Sequence, residues 1–275
     1  MRETRKTGVS DIVIWILLVI GALLMLFPFV WTVVTSITPD GNLSGTPSLI
    51  VDNPTLDAYR KLAASVPIWR IVLNSFGIAV ASTLLQLLTG SLAAYGFSRL
   101  EFAGKKLVFG CYLATLMVPL QVLVVPLFIM LTRVHLNDSY FSLLAPSIAS
   151  AFGIFLLKQT IDAIPRELDE AARIDGAGHL RIWAQVIMPL TKPALATVTV
   201  FAFMDSWNSY LWPLVVIRSP ELMTLPLGLS FLKGQFTTEW NVVMAGAVVS
   251  ILPIIIVYLF AQKYIIAGMA HTGLK

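Results

Sequence analysis

The side chains that most often perform catalysis or bind metal ions are few in this sequence and lie far apart. Its three histidines, His135, His179 and His271, fall in separate segments, and Cys111 is the single cysteine. Metal sites need clustered ligands and a disulfide needs a second cysteine, so the sequence predicts neither. The nucleotide-binding pattern G-x-x-x-x-G-K-[S/T] and the hydrolase patterns H-E-x-x-H and G-x-S-x-G are absent. We therefore expect no enzyme, and no ATP hydrolysis by this chain itself.

Asp205 is a carboxylate inside a long apolar stretch. A charged side chain within a membrane span is costly, and such residues usually face a transport route or pair with a neighbouring helix. Both interpretations stay open for Asp205. Gln86 lies on a stripe of small and polar residues spaced four apart, which favours helix packing over a pore lining. The polar residues that are candidates for a translocation path are Asn74, Gln86, Gln121, Asp205 and Asn208.

The most consistent polar pattern lies at residues 164–189. Pro165 and the acidic residues after it are typical of a helix N-terminus, and Asp169 is spaced to pair with Arg173 one turn later. Gly176 and Gly178 then interrupt this helix. A second apolar stripe follows, formed by Leu180, Trp183, Ala184 and Ile187, and is expected to stay buried on the bundle of spans. The pattern predicts a helical hairpin, which either lies passively at the membrane surface or docks a separate protein.

The elements that position these residues are membrane spans. Hydrophobic residues make up 57% of the 275 residues and charged residues only 12%, against about 25% charged in a soluble domain. A helix needs about 20 apolar residues to cross the bilayer. We predict an all-α polytopic membrane protein with one domain over residues 1–275 and a cytoplasmic loop at 163–192. The six predicted spans are 12–37, 71–97, 107–131, 141–162, 193–217 and 241–262.

The cations predict the orientation of these spans. Of the 19 Lys and Arg residues, 13 fall at the two termini and in the second-to-third and fourth-to-fifth loops. Cytoplasmic loops are enriched in Lys and Arg, so both termini and the loop at 163–192 are expected in the cytoplasm.

The loop also resembles a known family. Glu170-Ala171-Ala172, three residues, Gly176, nine residues and Val186-x-Met188-Pro189 are similar to the EAA loop of permease subunits of ATP-binding-cassette importers. That loop has the pattern E-A-A-x3-G-x9-I-x-L-P, and both departures here are apolar. Segments at 117–121, 202–213 and 268–273 are similar to carbohydrate importers of the maltose and glycerol-3-phosphate type, so the resemblance covers essentially the whole chain.

The resemblance implies a non-catalytic permease subunit in a bacterial inner membrane, carrying a sugar or sugar derivative. It implies a second homologous permease, two cytoplasmic ATPase subunits that bind ATP and magnesium, and an extracytoplasmic solute-binding protein. It implies no cofactor on this chain. The residues expected to dock the ATPases are, by the same resemblance, Glu170, Ala171, Ala172, Gly176, Gly268 and Gly273.

Two other functions remain possible from the sequence. A secondary transporter driven by an ion gradient would show inverted repeats, discontinuous helices and paired charges within the spans. A purely structural membrane anchor would leave the strict spacing of the 164–189 segment without a purpose.

Overall fold

A computed structural model describes residues 9–39, 50–51, 53–232 and 239–272, and in these ranges every regular element is a helix. The predicted all-α class is thereby confirmed. The α-helices are α1 (Val9–Ser36), α2 (Asp57–Ser65), α3 (Ile68–Arg99), α4 (Lys105–Ala114), α5 (Leu120–Arg133), α6 (Tyr140–Leu144), α7 (Ala151–Asp162), α8 (Glu167–Ile174), α9 (His179–Ile182), α10 (Met188–Leu190), α11 (Lys192–Trp207), α12 (Leu211–Val216), α13 (Leu225–Ser230) and α14 (Trp240–Thr272).

Three helices are long and apolar enough to cross a membrane: α1, α3 and α14. Three further pairs pass the same test only jointly, because each is bent at a short break: 104° between Lys105–Met117 and α5, 44° between Tyr140–Ser147 and α7, and 84° between His179–Leu190 and α11. The described ranges thus hold between three and six candidate spans, and the six-span arrangement stays a prediction.

The fifth predicted span, 193–217, is not one continuous helix. Helix α11 ends at Trp207 and α12 begins at Leu211. The Met204 carbonyl oxygen accepts from both the backbone N–H and the side-chain amide of Asn208, at 3.0 and 2.9 Å, where α11 ends. Pro213, which has no N–H, cannot continue the hydrogen-bond pattern backwards into α11.

The chain divides into two compact units. The first comprises residues 1–67 and 229–252. Within it, the Tyr59 hydroxyl and the Ser36 hydroxyl lie 2.9 Å apart, Lys61 pairs with Glu239 at 2.6 Å, and the Asn241 amide donates to the Thr38 carbonyl oxygen. These polar contacts join α2 to the C-terminal end of α1 and to the start of α14.

The second unit comprises residues 68–228 and 253–275 and is built around α3, which packs against α7 and α11. The small and polar stripe of α3 is buried in this packing: Ser82, Gln86, Gly90 and Ala94 are all inaccessible or nearly so. A Cβ atom placed on Gly90 would lie 3.8 Å from the side chain of Leu157 on α7. Ser82, Gly90 and Ala94 of the stripe therefore serve helix packing.

Candidate functional site

The segment at 164–189 folds as a chain of short helices, α8 to α10. Helix α8 ends in a Schellman turn, in which the N–H of Ala177 donates to the carbonyl oxygen of Ala172 at 2.9 Å. Gly176 occupies the left-handed position of this turn with φ +81°. Gly178 precedes α9 with φ −76°, a conformation open to any residue. The chain direction therefore changes at Gly176, between the two parts of the hairpin.

A buried ion pair ties this hairpin to α3. The guanidinium Nε of Arg99, the last residue of α3, lies 2.6 Å from the Asp169 carboxylate, and the two side chains are 4% and 6% exposed. Arg99 also donates to the carbonyl oxygen of Ile164 at 2.8 Å. Asp169 thus pairs with Arg99 rather than with Arg173 as the local spacing predicts. A buried carboxylate needs a charged partner, and α3 supplies it across 70 residues of sequence.

The inward face of the second half of the hairpin also differs from the sequence prediction. Residues Trp183–Ile187 form a π-helical turn, whose wider winding brings Ile182 and Ile187 onto one face. Both are fully buried in a cluster with Leu157 and Ile161 of α7. Leu180, predicted to lie on the buried stripe, is 73% exposed.

The outward side of the hairpin carries the residues expected to dock a partner. Glu170, Ala171 and Gly176 are exposed, whereas Ala172 is half-buried. Large apolar side chains accompany them: Leu168 is 43%, Ile174 88% and Leu180 73% exposed. An accumulation of exposed apolar side chains typically marks an interaction site. We call Leu168, Glu170, Ala171, Ile174 and Leu180 the hairpin surface.

Two other expected docking residues lie near the C-terminus. Gly268 belongs to α14, and Gly273 lies outside the described residues. Their docking role stays a prediction.

The structure brings two of the five path candidates together. Gln86 of α3 and Asp205 of α11 line one cavity of about 240 Å³, together with Ser150. Phe152 and Phe201 form another part of its wall, with ring centroids 5.3 Å apart in an edge-to-face arrangement. This cavity offers a carboxylate, an amide and a hydroxyl beside aromatic rings.

The other three path candidates lie elsewhere. Asn74 is buried, where its amide donates to the carbonyl oxygens of Glu221 and Met223 and accepts from the Tyr140 hydroxyl. This side chain joins three parts of the second unit and has its hydrogen-bonding capacity largely used. Gln121 and Asn208 are exposed.

Sequence reasoning missed a set of hydrogen bonds between Asp138 and residues 218–219, which joins two loops of the second unit. The Asp138 carboxylate accepts from the Ser219 hydroxyl and from the backbone N–H groups of Ser219 and Arg218 at 3.0 and 2.9 Å. These hydrogen bonds, led by that of the Ser219 hydroxyl, hold the pKa of Asp138 below its ordinary value. Asp138 itself has φ 52°, which Asp tolerates better than most residues.

Among the described residues, no group of three or more His, Cys, Asp or Glu side chains is arranged to hold a metal ion. His179 at the start of α9 is instead in hydrogen-bond contact with the Tyr95 hydroxyl, 3.1 Å from its Nδ1. This contact adds a further link between the hairpin and α3.

Comparison with known proteins places this arrangement in a family. Residues 86–271 match the family described as binding-protein-dependent transport system inner membrane component. The chain is 33% identical over 279 residues to the arabinooligosaccharides transport system permease protein AraQ of Bacillus subtilis, covering 100% of this chain and 99% of AraQ. It is 34% identical to the lactose transport system permease protein LacG of Rhizobium radiobacter, with 98% of each chain covered.

Solved structures give the same picture. A crystal structure of a bacterial ABC transporter involved in import of the acidic polysaccharide alginate matches with a TM-score of 0.83 and 27% identity, over 95% of this chain and 98% of that chain. A bacterial alginate ABC transporter in complex with an alginate pentasaccharide-bound periplasmic protein matches with a TM-score of 0.66 and 16% identity, over 92% and 94%, which supports the fold alone.

Proposed function

This chain belongs to the family of binding-protein-dependent transport system inner membrane components, and we propose that it carries a sugar or sugar derivative as one permease of an ATP-binding-cassette importer. The family resemblance predicted from the 164–189 segment is confirmed. The broken helices, which a secondary transporter driven by an ion gradient would also show, do not favour that alternative against the family membership. The observation that carries the proposal is the relationship over the full chain to sugar permeases, among them AraQ and LacG.

We propose that the energy comes from two separate ATPase subunits that bind ATP and magnesium, and that this chain is not itself catalytic. The hairpin surface suits their docking, because Glu170 offers a carboxylate beside exposed apolar side chains. The opposite side of the hairpin is fixed to the membrane domain by Arg99–Asp169 and by the buried Ile182 and Ile187. Such a hairpin transmits force from the partner to α3 and α7.

The sugar is delivered by an extracytoplasmic binding protein and passes between this chain and a second permease. Of the path candidates, Gln86 and Asp205 are the best supported, because they share a cavity whose polar groups can hydrogen-bond to hydroxyls. We place six spans across the bacterial inner membrane with both termini in the cytoplasm, following the distribution of Lys and Arg.

The test compares Glu170→Lys with Glu221→Lys in membranes that contain the whole transporter. Both residues are exposed acids and both variants change the charge equally, but Glu221 lies outside the 164–189 segment. We expect Glu170→Lys to retain normal permease abundance, to lose ATPase co-purification and to abolish uptake of arabino-oligosaccharide or lactose, whichever the wild type imports. Glu221→Lys should retain most of both. Wild-type co-purification and uptake in Glu170→Lys would refute docking at this surface.

A further inference from the structure

A second cavity, of about 690 Å³, lies in the second unit where α3 ends and α4 begins. It is bounded by these two helix ends, by the last turns of α7 and by Arg166, the residue that precedes α8. The cavity that holds Gln86 and Asp205 has a different set of lining residues. The function proposed above therefore leaves this second cavity without a role.

The charges around this cavity are unbalanced. Four of its lining side chains are basic and two are acidic, an excess of two positive charges. Lys158 pairs with Asp162 at 2.5 Å, and Lys105 pairs with Glu101 at 3.3 Å. The remaining two cations are Lys106, which has no ion pair within the described part of the chain, and Arg166, which lies 3.8 Å from Glu101. Lys106 and Arg166 thus offer positive charge to a ligand.

Four further lining side chains are large and apolar: Phe97, Phe102, Leu107 and Phe109. The ring centroid of Phe97 lies 5.2 Å from that of Phe109 and 6.0 Å from that of Phe102. Phe102 is 45% exposed, and Leu107, also on the wall, is 72% exposed. A ligand that contacts both the cations and the apolar side chains of this cavity therefore carries a negative charge and a hydrocarbon part.

We propose that this cavity binds the headgroup of an anionic phospholipid from the cytoplasmic leaflet. Lys106 and Arg166 face the phosphate, and the acyl chains lie along Leu107 and Phe102. Basic pockets between membrane helices on the cytoplasmic side commonly hold such headgroups. A free phosphate ion would use the two cations but leave the exposed apolar side chains in contact with water.

The position in the chain supports a lipid ligand and rests on the proposed orientation. The cavity lies between the end of the second predicted span and the start of the third. In the proposed orientation, this is the level of the cytoplasmic lipid headgroups. Arg166 also donates to the Ser98 carbonyl oxygen at 3.4 Å. A headgroup held by Arg166 therefore fastens the beginning of the hairpin to the bilayer surface.

The experiment measures lipid retained by the purified transporter, by native mass spectrometry after reconstitution in nanodiscs of phosphatidylglycerol and phosphatidylcholine. We expect the wild type to retain phosphatidylglycerol selectively. Lys106→Gln and Arg166→Gln should each reduce that retention roughly fivefold, as the loss of one cation near an anionic surface predicts. Lys192→Gln removes an exposed cation outside the cavity and is the matched control, with retention like the wild type.

Three results would overturn the lipid site: retention of phosphatidylglycerol unchanged in both variants, equal retention of phosphatidylcholine, or displacement of the lipid by inorganic phosphate alone. Cross-linking of a cysteine placed at Lys106 to an ATPase subunit would also overturn it, because a protein would then occupy the cavity. Lys106 is exposed, so its single variant keeps the test valid if Arg166→Gln fails to fold.

The outcome is separable from that of the proposed function. A transporter that imports sugar but retains no selective lipid refutes only the lipid site. A chain that retains phosphatidylglycerol but binds no ATPase refutes only the importer assignment.

Discussion

At the scale of single residues, the ion pair of Arg99 and Asp169 is the contact with the largest expected effect. Removing one partner of a buried pair leaves an uncompensated charge and costs about 3–5 kcal/mol. We expect Asp169→Ala to lower the thermal unfolding midpoint of the purified protein markedly and to reduce uptake.

The control for this prediction is Glu167→Ala, which removes an exposed carboxylate from the same helix and should leave the midpoint nearly unchanged. The double variant Arg99→Met with Asp169→Leu removes both charges and should recover much of the loss, because apolar residues of similar volume often replace a buried pair without penalty. A midpoint for Asp169→Ala equal to that of Glu167→Ala would show that the pair contributes no stability.

Asp138 gives a prediction about pH. The Ser219 hydroxyl and the two backbone N–H groups lower the pKa of Asp138. The ionised carboxylate therefore makes its full contribution to the stability of the folded state at any pH above the ordinary Asp pKa of 3.8. This contribution is lost as the pH falls through the lower value of the folded state. Asp138→Asn should therefore reduce the thermal midpoint at pH 6, and the difference from wild type should shrink as the pH is lowered below 3.8.

Asparagine tolerates the positive φ of this position, so the variant changes the charge and leaves the backbone conformation accessible. A difference between wild type and Asp138→Asn that is the same at every pH would exclude a contribution from the ionised carboxylate.

At the scale of elements, the turn at Gly176 decides how the two parts of the hairpin are oriented. A side chain on Gly176 would meet open space, so any cost of substitution comes from the positive φ alone. A left-handed conformation costs an L-residue about 1–2 kcal/mol, less for Asn and more for a β-branched residue. ATPase co-purification and uptake should therefore fall in the order Gly, Asn, Ala, Val at position 176.

Gly178 provides the matched control. It also has open space around it, but its φ is negative, so Gly178→Ala should behave like the wild type. Equal effects of Ala at positions 176 and 178 would mean that the left-handed turn is not what the hairpin requires.

The same segment shows how far the sequence predicts structure. Local signals placed α8 and the break at Gly176 correctly, because helix starts and left-handed turns depend on nearby residues. The partner of Asp169 could not be predicted, since Arg99 is 70 residues away and no local pattern joins them. The exposure of Leu180 was wrongly predicted because a regular 3.6-residue period does not hold through a π-helical turn.

The breaks within the membrane helices were predictable only in part. Pro119 lies in the 104° bend before α5 and is a visible helix breaker. Helix α11 ends at Trp207, and the next residue, Asn208, folds its side-chain amide back onto the Met204 carbonyl oxygen. In the sequence alone, an Asn in an apolar stretch is interpreted equally well as a residue of the translocation path. Of the five path candidates, the sequence could not tell Asn74, which bridges loops, from Gln86, which faces a cavity.

At the scale of the whole molecule, the orientation can be tested by labelling cysteines from outside the cell. The natural Cys111 is exposed and is first replaced in a Cys111→Ser background. In spheroplasts, a membrane-impermeant maleimide should label Arg60→Cys, whose parent side chain is 83% exposed on α2, and should not label Lys192→Cys. Labelling of Lys192→Cys but not of Arg60→Cys would mean that the proposed topology is inverted. Labelling of both positions would place them on the same side of the membrane and contradict the three predicted spans between them.

The bare surface of α1 has a consequence for how the protein is made. In the apolar part of this helix, none of the residues is buried against the rest of the chain's described structure. A contact that ties α1 to a later segment of its unit lies at its C-terminal end, where the Ser36 hydroxyl meets that of Tyr59. The apolar length before this end can therefore enter lipid on hydrophobicity alone, whereas α3, α7 and α11 must also pack against one another. Membrane insertion of α1 is thus separable from assembly of the packed helices.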